Sequence, residues 1–257
     1  MEFNWRECYA MYINLDHRED RRVHIKQQLS RFDIIADRVR GVYYHEIEKP
    51  SPKFNYMASL SKGQVGCYTA HINCLERAYK LGQNALIFED DAHLCSDFDI
   101  RMEYIQNYLN SNDWDIFWLG GTYHIEPTWH PVGHTNPNLK NCICTIGKDV
   151  EKTDDARIVR TYGCWSTAGY IVKYESIPKI LHMLEERLEE SYAIDHNFII
   201  IEPFLKTFAF VPALIKQIDN HSDNYNSINK FSEFATLGRY WYADNMEDVD
   251  PSSLNFI

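Results

Sequence analysis

Short apolar runs of strand length, separated by stretches of helical period, are what most constrain this chain. Residues 9–15, 34–39, 85–88, 115–119, 168–172 and 208–211 are rich in β-branched and aromatic residues, each long enough to cross a sheet once. Between them, Val23, Ile25 and Leu29 mark one helix. Val65, Tyr68, Ile72, Leu75 and Tyr79 mark a second over 61–82. Residues 176–190 read as an amphipathic helix and 195–205 as helical up to Pro203. Strands alternating with helices predict an α/β fold, a single domain over 1–239 with a mixed, mostly parallel central sheet flanked by helices.

Local signals place the joints. Ser61 and Gln64 form a capping box at the start of the second helix, and Gly82 is placed to close it. Gly63, Gly66 and Ala70 put small residues on one side of that helix, where each glycine costs about 1 kcal/mol against alanine. Close approach of another backbone or a ligand explains such a face; so does tight helix–sheet packing. Gly41 closes the second strand and Gly120-Gly121 is expected to stop the fourth. Residues 44–60 read as a loop. Residues 122–163, with three His, three Pro and two Cys, read as a long irregular lid or insert. From Tyr240 the chain carries four acids and no basic residue, the composition of a solvated tail.

Charge removes one class of function. Against 26 Lys and Arg stand 37 Asp and Glu, a net charge of −11, whereas a general nucleic-acid binder needs a basic footprint. No run approaches the ~20 apolar residues of a membrane helix, and residues 1–7 show no signal peptide. Seven cysteines leave at least one unpaired, so a reduced compartment, the cytoplasm, is expected.

The most informative residues are Glu89, Asp90 and Asp91, directly after the buried-type strand 85–88. Ligands of open α/β sheets bind beyond the carboxyl ends of strands. Three acids gathered there repel one another and lose hydration unless a cation compensates, and hard oxygen ligands suit Mg²⁺ or Mn²⁺ bridging to substrate phosphates. Alternation puts Glu89 and Asp91 on one side and Asp90 on the other. The competing role is an acidic cap facing water.

With these residues in view, the chain resembles glycosyltransferase family 25, which includes bacterial lipopolysaccharide galactosyltransferases and collagen β-galactosyltransferases. The resemblance rests on three blocks in order: Ile13-Asn14-Leu15 with Asp20-Arg21-Arg22; Gly63-Gln64-Val65-Gly66-Cys67-Tyr68-Thr69-Ala70-His71; and Ile87-Phe88-Glu89-Asp90-Asp91-Ala92. Weaker similarity runs through Gly169-Tyr170-Ile171-Val172, Ile194-Asp195-His196 and Pro212-Ala213-Leu214. His17-Arg18 and Ala70 depart from the family pattern, and 122–163 carries no family signature. The resemblance implies a GT-A fold, a UDP-sugar donor (galactose or another hexose), a carbohydrate or glycosylated acceptor, and Mn²⁺-assisted inverting transfer.

Roles follow from that chemistry. Asp91 is the first candidate for metal ligand, with Glu89 on the ribose or a metal-bound water. Asp90, Asn14, Leu15 and Arg21 would line the nucleotide site, although Arg21 suits a surface helix equally well. An inverting mechanism needs a base opposite the leaving group. Asp195 is the candidate, with helix N-cap as its competing role. His221, in the late polar stretch with Gln217 and Asp219, is a candidate metal ligand or a loop residue. His71, on an apolar stripe with Cys67 and Cys74, suits a structural role. His124, His130 and His134 with Cys142 and Cys144 lack the paired-cysteine spacing of a zinc site. Trp118, Tyr123, Trp129 and Trp165 suit sugar rings or a core. A GT-A-like protein that only binds a glycan or partner is the competing function. A two-metal phosphoesterase lacks further clustered ligands, and the absence of a glycine fingerprint or P-loop removes dehydrogenases and kinases.

Overall fold

A computed structural model describes residues 2–42, 62–124, 153–155, 157–186, 193–218, 220–222, 227–229 and 242–248, with the backbone alone for 62, 122–124, 186, 220–222 and 227–229. In chain order the elements are β1 (Tyr9–Asn14), α1 (Glu19–Ser30), β2 (Asp37–Arg40), α2 (Lys62–Leu81), β3 (Ala85–Glu89), β4 (Ala92–Leu94), α3 (Phe98–Ser111), β5 (Ile116–His124), β6 (Ile158–Arg160), β7 (Gly163–Val172), α4 (Ile177–Glu186), α5 (Ile194–Ile201), β8 (Thr207–Phe210), β9 (Ile215–Gln217), β10 (Asn220–Ser222) and β11 (Ser227–Asn229). Among the described residues, seven strands form one sheet in the order β2-β1-β3-β7-β5-β8-β6. Five run the same way, and β6 and β7 run against them. This is the mixed, mostly parallel α/β sheet expected.

The sheet is buried on both faces, which is why its central strands are continuous apolar runs. On one face Met11, Ile87, Trp118 and Tyr170 pack with Val65, Tyr68 and Leu75 of α2, Ile180 of α4 and Phe198 of α5. On the other, Tyr12, Leu86, Phe88, Phe117 and Ile171 meet Ile25 and Leu29 of α1 and Phe98, Met102 and Ile105 of α3. Helix, sheet and helix make three layers.

Several elements depart from the sequence expectation. α3 occupies a stretch with no assigned element, yet Phe98, Met102, Ile105 and Leu109 recur at helical spacing and are all buried. The pair Gly120-Gly121 does not stop β5. The strand continues to His124 through register shifts around Gly120, because β9 crosses there: a Cβ on Gly120 would lie on the Ile215 carbonyl oxygen. Within the expected lid, residues 158–160 form β6 and Gly163 opens β7, pairing with β8 and β5. At Gly66 a Cβ would lie on the Val42 carbonyl oxygen, so the glycine there admits another stretch of backbone. Ser61, residues 44–60 and most of 122–163, including His130, His134, Trp129, Cys142 and Cys144, lie outside the described residues.

The acidic tail also makes contacts with the domain. Its described part, 242–248, is tethered to the domain while its acids Asp244, Glu247 and Asp248 stay exposed: Ser96 N–H donates to Asp244 O, Arg101 to Ala243 O, and Met246 N–H to the Asp97 carboxylate. Arg101, fully buried, also donates to Pro212 O and Ala213 O. A buried guanidinium must have such acceptors, and the tail supplies one of them.

Candidate functional site

The chain leaves β1 towards β2 on one side and later enters β3 on the other. The carboxyl ends of β1 and β3 are therefore a switch point, where an α/β sheet opens a crevice for ligands. Asn14 ends β1, Glu89 ends β3, and Asp90 and Asp91 make the turn into β4. Since β7 runs antiparallel to β3, pairing Gly169 with Phe88, its earlier residues Ser166 and Thr167 project past that same end. β9 pairs with β4 and delivers Gln217 opposite Ala92.

Asp90 and Asp91 are buried, 7% and 5% exposed, and so are not caps facing water. Asn14 Nδ2 donates to Asp90 Oδ2 at 2.8 Å and to the Arg18 carbonyl at 2.9 Å. Arg21 reaches in from α1, with Nη1 3.0 Å from Asp90 Oδ1 and 3.1 Å from Asp91 Oδ2. It is thus a half-buried member of the cluster and not a surface charge. Gln217 Nε2 donates to Glu89 Oε2 at 2.9 Å and to Asp91 Oδ1 at 3.3 Å, while its Oε1 accepts from Ser166 Oγ at 2.7 Å. The Thr167 hydroxyl donates to Glu89 Oε1. His71 Nε2 lies 3.3 Å from that same oxygen and Nδ1 2.8 Å from the Tyr170 hydroxyl.

These environments drive the acids apart. Burial first, with repulsion from Glu89 and Asp90, pushes the Asp91 carboxyl up to about 7 against the lowering by Arg21 and Gln217. Asp90 is also raised, by burial first, against Arg21 and Asn14. At Glu89 burial acts upward too. The hydrogen bond and charge of His71, the Thr167 hydroxyl and Arg21 outweigh it and hold the carboxyl low. Asp90 and Asp91 therefore share one guanidinium while Glu89 is held by His71, Thr167 and Gln217, and the carboxylate donor set is hard oxygen. It fits a divalent ion of the Mg²⁺ or Mn²⁺ kind.

Asp195 lies in the first turn of α5, where it accepts from its neighbour's N–H (His196, 2.9 Å) and from Ser166 N–H at 3.4 Å. Burial, with Glu89 adding repulsion, raises its carboxyl. Ser166, at φ 77°, thus joins Asp195 through its backbone to Gln217 through its side chain. Leu15 is half-buried against Gly41. His221 stands on β10 opposite Ile228, and its side chain, like all of Asp219, lies outside the described residues. Trp118 is core, packed on Tyr170 and Phe198. Trp165 is half-buried with its ring 4.4 Å from that of His196. Thr167 and Ser166 carry no sequence signal, because the apolar run that marks their strand begins only at Ala168 while β7 begins at Gly163. Gln217 stood beside His221 in the late polar stretch without a role of its own.

The family model described as glycosyltransferase family 25 (LPS biosynthesis protein) matches residues 10–198. Procollagen galactosyltransferase 1-A of Xenopus laevis is 26% identical over 187 residues, 66% of this chain and 27% of that protein. The probable inactive glycosyltransferase 25 family member 3 of Bos taurus is 30% identical over 84 residues, 32% of this chain and 14% of that one. The chain therefore spans about a quarter or less of the curated relatives it matches. Among solved structures, mannose-1-phosphate geranyltransferase from Thermus thermophilus aligns over 79% of this chain and 73% of its own, at 10% identity and a TM-score of 0.39.

Proposed function

The chain belongs to glycosyltransferase family 25, and from that premise we propose that it is a metal-dependent inverting hexosyltransferase of GT-A type. It would move galactose or another hexose from a UDP-sugar to a glycan or protein-linked acceptor, with residues 1–239 as the transferase domain and 122–163 on the acceptor side. The observation that carries the reading is the gathering of Glu89, Asp90 and Asp91 around Arg21 and Gln217 at the carboxyl ends of β1 and β3.

Asp91 and Glu89 would hold the ion, with His221 a further candidate from β10. A divalent ion held there would supply Lewis-acid stabilisation of the charge building on a departing diphosphate. The remaining work falls to the chain's own side chains. Gln217 fixes both ligand carboxylates with one amide. Asn14 and Arg21 hold Asp90 in place beside the crevice, where Leu15 would flank the nucleotide. Asp195 takes the proton from the acceptor hydroxyl as its oxygen attacks the anomeric carbon and the nucleoside diphosphate leaves from the opposite face. Burial raises its carboxyl above the usual aspartate range, the direction that strengthens a carboxylate as a base.

No described helix is long and apolar enough to cross a membrane, and a cytoplasmic site of action, at a membrane only through its acceptor, is part of the proposal. The relative described as probably inactive favours a second reading, a binding protein without turnover. A thermal-shift panel of nucleotide sugars, each with and without Mn²⁺, separates the two. The transferase reading predicts a Mn²⁺-dependent rise with a UDP-sugar, about 2.7 kcal/mol of added stability at a hundredfold excess over Kd. A folded protein that responds to no donor would favour the second reading.

A further inference from the structure

On the α2 side of the acid cluster, three ligand atoms of a different character converge. Cys67 and His71 are four residues apart on α2, so their side chains leave the same face one turn apart. β3 brings Glu89 against them. The Cys67 sulfur, an imidazole nitrogen of His71 and a Glu89 carboxylate oxygen all lie within 4.8 Å of one another. His71 Nε2 and Glu89 Oε1 are 3.3 Å apart, which is also the spacing of two ligands bonded at about 2.0 Å to one tetrahedral ion. The far side of the imidazole is fixed. Nδ1 meets the Tyr170 hydroxyl at 2.8 Å, and the fully buried ring stacks on that of Tyr170. Metal-ligating histidines are held in this way, one nitrogen bonded to an oxygen so that the other turns its lone pair to the ion. Cys67 is a half-buried, reduced thiol.

A hydrogen bond accounts for the imidazole and the carboxylate. The sulfur adds a soft donor, which Mg²⁺ and Mn²⁺ disfavour and Zn²⁺ accepts. We infer that Cys67, His71 and Glu89 form a binding site for a thiophilic divalent ion, Zn²⁺ foremost, with a fourth position left open. Binding replaces the Cys67 S–H bond with a sulfur–metal bond and releases the proton to solvent; no electrons change hands. The site needs only these three side chains, one of which, Glu89, it shares with the proposed transfer site. Because Glu89 also belongs to the acid cluster, the test reads metal binding and not turnover.

Co²⁺ titrated into the full reduced chain is expected to give a thiolate-to-cobalt charge-transfer band that Zn²⁺ displaces. An all-oxygen site gives no such band. Cys67→Ser should abolish it and weaken Zn²⁺ binding by at least about tenfold. A folded wild-type protein without the band, or a band that survives in Cys67→Ser, overturns the site. Should Cys67→Ser fail to fold, alkylation of the wild-type chain decides. Zn²⁺ should protect the Cys67 peptide, read by mass spectrometry, and unprotected Cys67 overturns the site equally.

Discussion

Glu89 and Asp91 lie two residues apart, yet their surroundings drive their carboxyls in opposite directions, one held low by its hydrogen bonds and the other pushed up to about 7. That division of environment lets neighbouring acids take different tasks. The same physics acts at Glu202, directly after α5. This carboxyl is fully buried, accepts from Thr161 Oγ1 at 3.1 Å, and is pushed up to about 8 by burial. An unfolded chain loses that proton near pH 4.3 or so, about where an exposed glutamate titrates. Between about pH 4 and about pH 8 the folded state thus holds the extra proton, and stability falls as pH rises. Glu202→Gln should remove this loss. Its stability relative to wild type, followed through melting temperature, should climb from about pH 5 to about pH 8, by up to about 1 kcal/mol per pH unit. A constant difference across the range would mean that Glu202 is not buried protonated. For Asp195, the proposed base, Asp195→Asn should cut transfer by roughly a hundredfold or more while donor affinity stays put. Loss of donor binding would instead make Asp195 a binding residue. The acid triplet was legible in sequence because charge at the end of an apolar strand is conspicuous. Thr167 and Gln217, which hold Glu89 from 78 and 128 residues further along the chain, carry no charge and no period.

The elements that position the site were read from periodicity: β1, β3, α2 and the start of α5 follow the sequence pattern closely. What escaped was set by contacts between elements. Gly120-Gly121 looks like a stop in isolation, and only the crossing of β9 over β5 explains why the strand continues with glycine there. α3 was missed although its apolar spacing was regular. Gly120→Ala tests the crossing. The added methyl would meet the Ile215 carbonyl and lie 2.7 Å from Ile215 Cβ. The expected destabilisation is about 1–3 kcal/mol, measured as a drop of several degrees in melting temperature. Because Gln217 sits at the end of the same β9, metal-dependent donor binding should weaken with it. An unchanged melting temperature would contradict the crossing.

At the scale of the whole molecule, the strand order brings β1, β3 and β7 side by side and so assembles carboxylates, amide and hydroxyl from distant parts of the chain at one end of the sheet. Alternation of strands and helices was enough to anticipate the fold class. The order of the strands and the docking of 242–248 through Arg101 were not, since both depend on long-range partners. The central claim is that the acids at this end of the sheet hold a divalent ion on which a nucleotide-sugar donor depends. Calorimetric titration of UDP into wild type and Asp91→Ala, with Mn²⁺ and with chelator, tests it most directly. The expected result is binding by wild type that requires Mn²⁺ and that Asp91→Ala loses while keeping its circular dichroism spectrum. Equal UDP binding in chelator, or by Asp91→Ala, would contradict the claim.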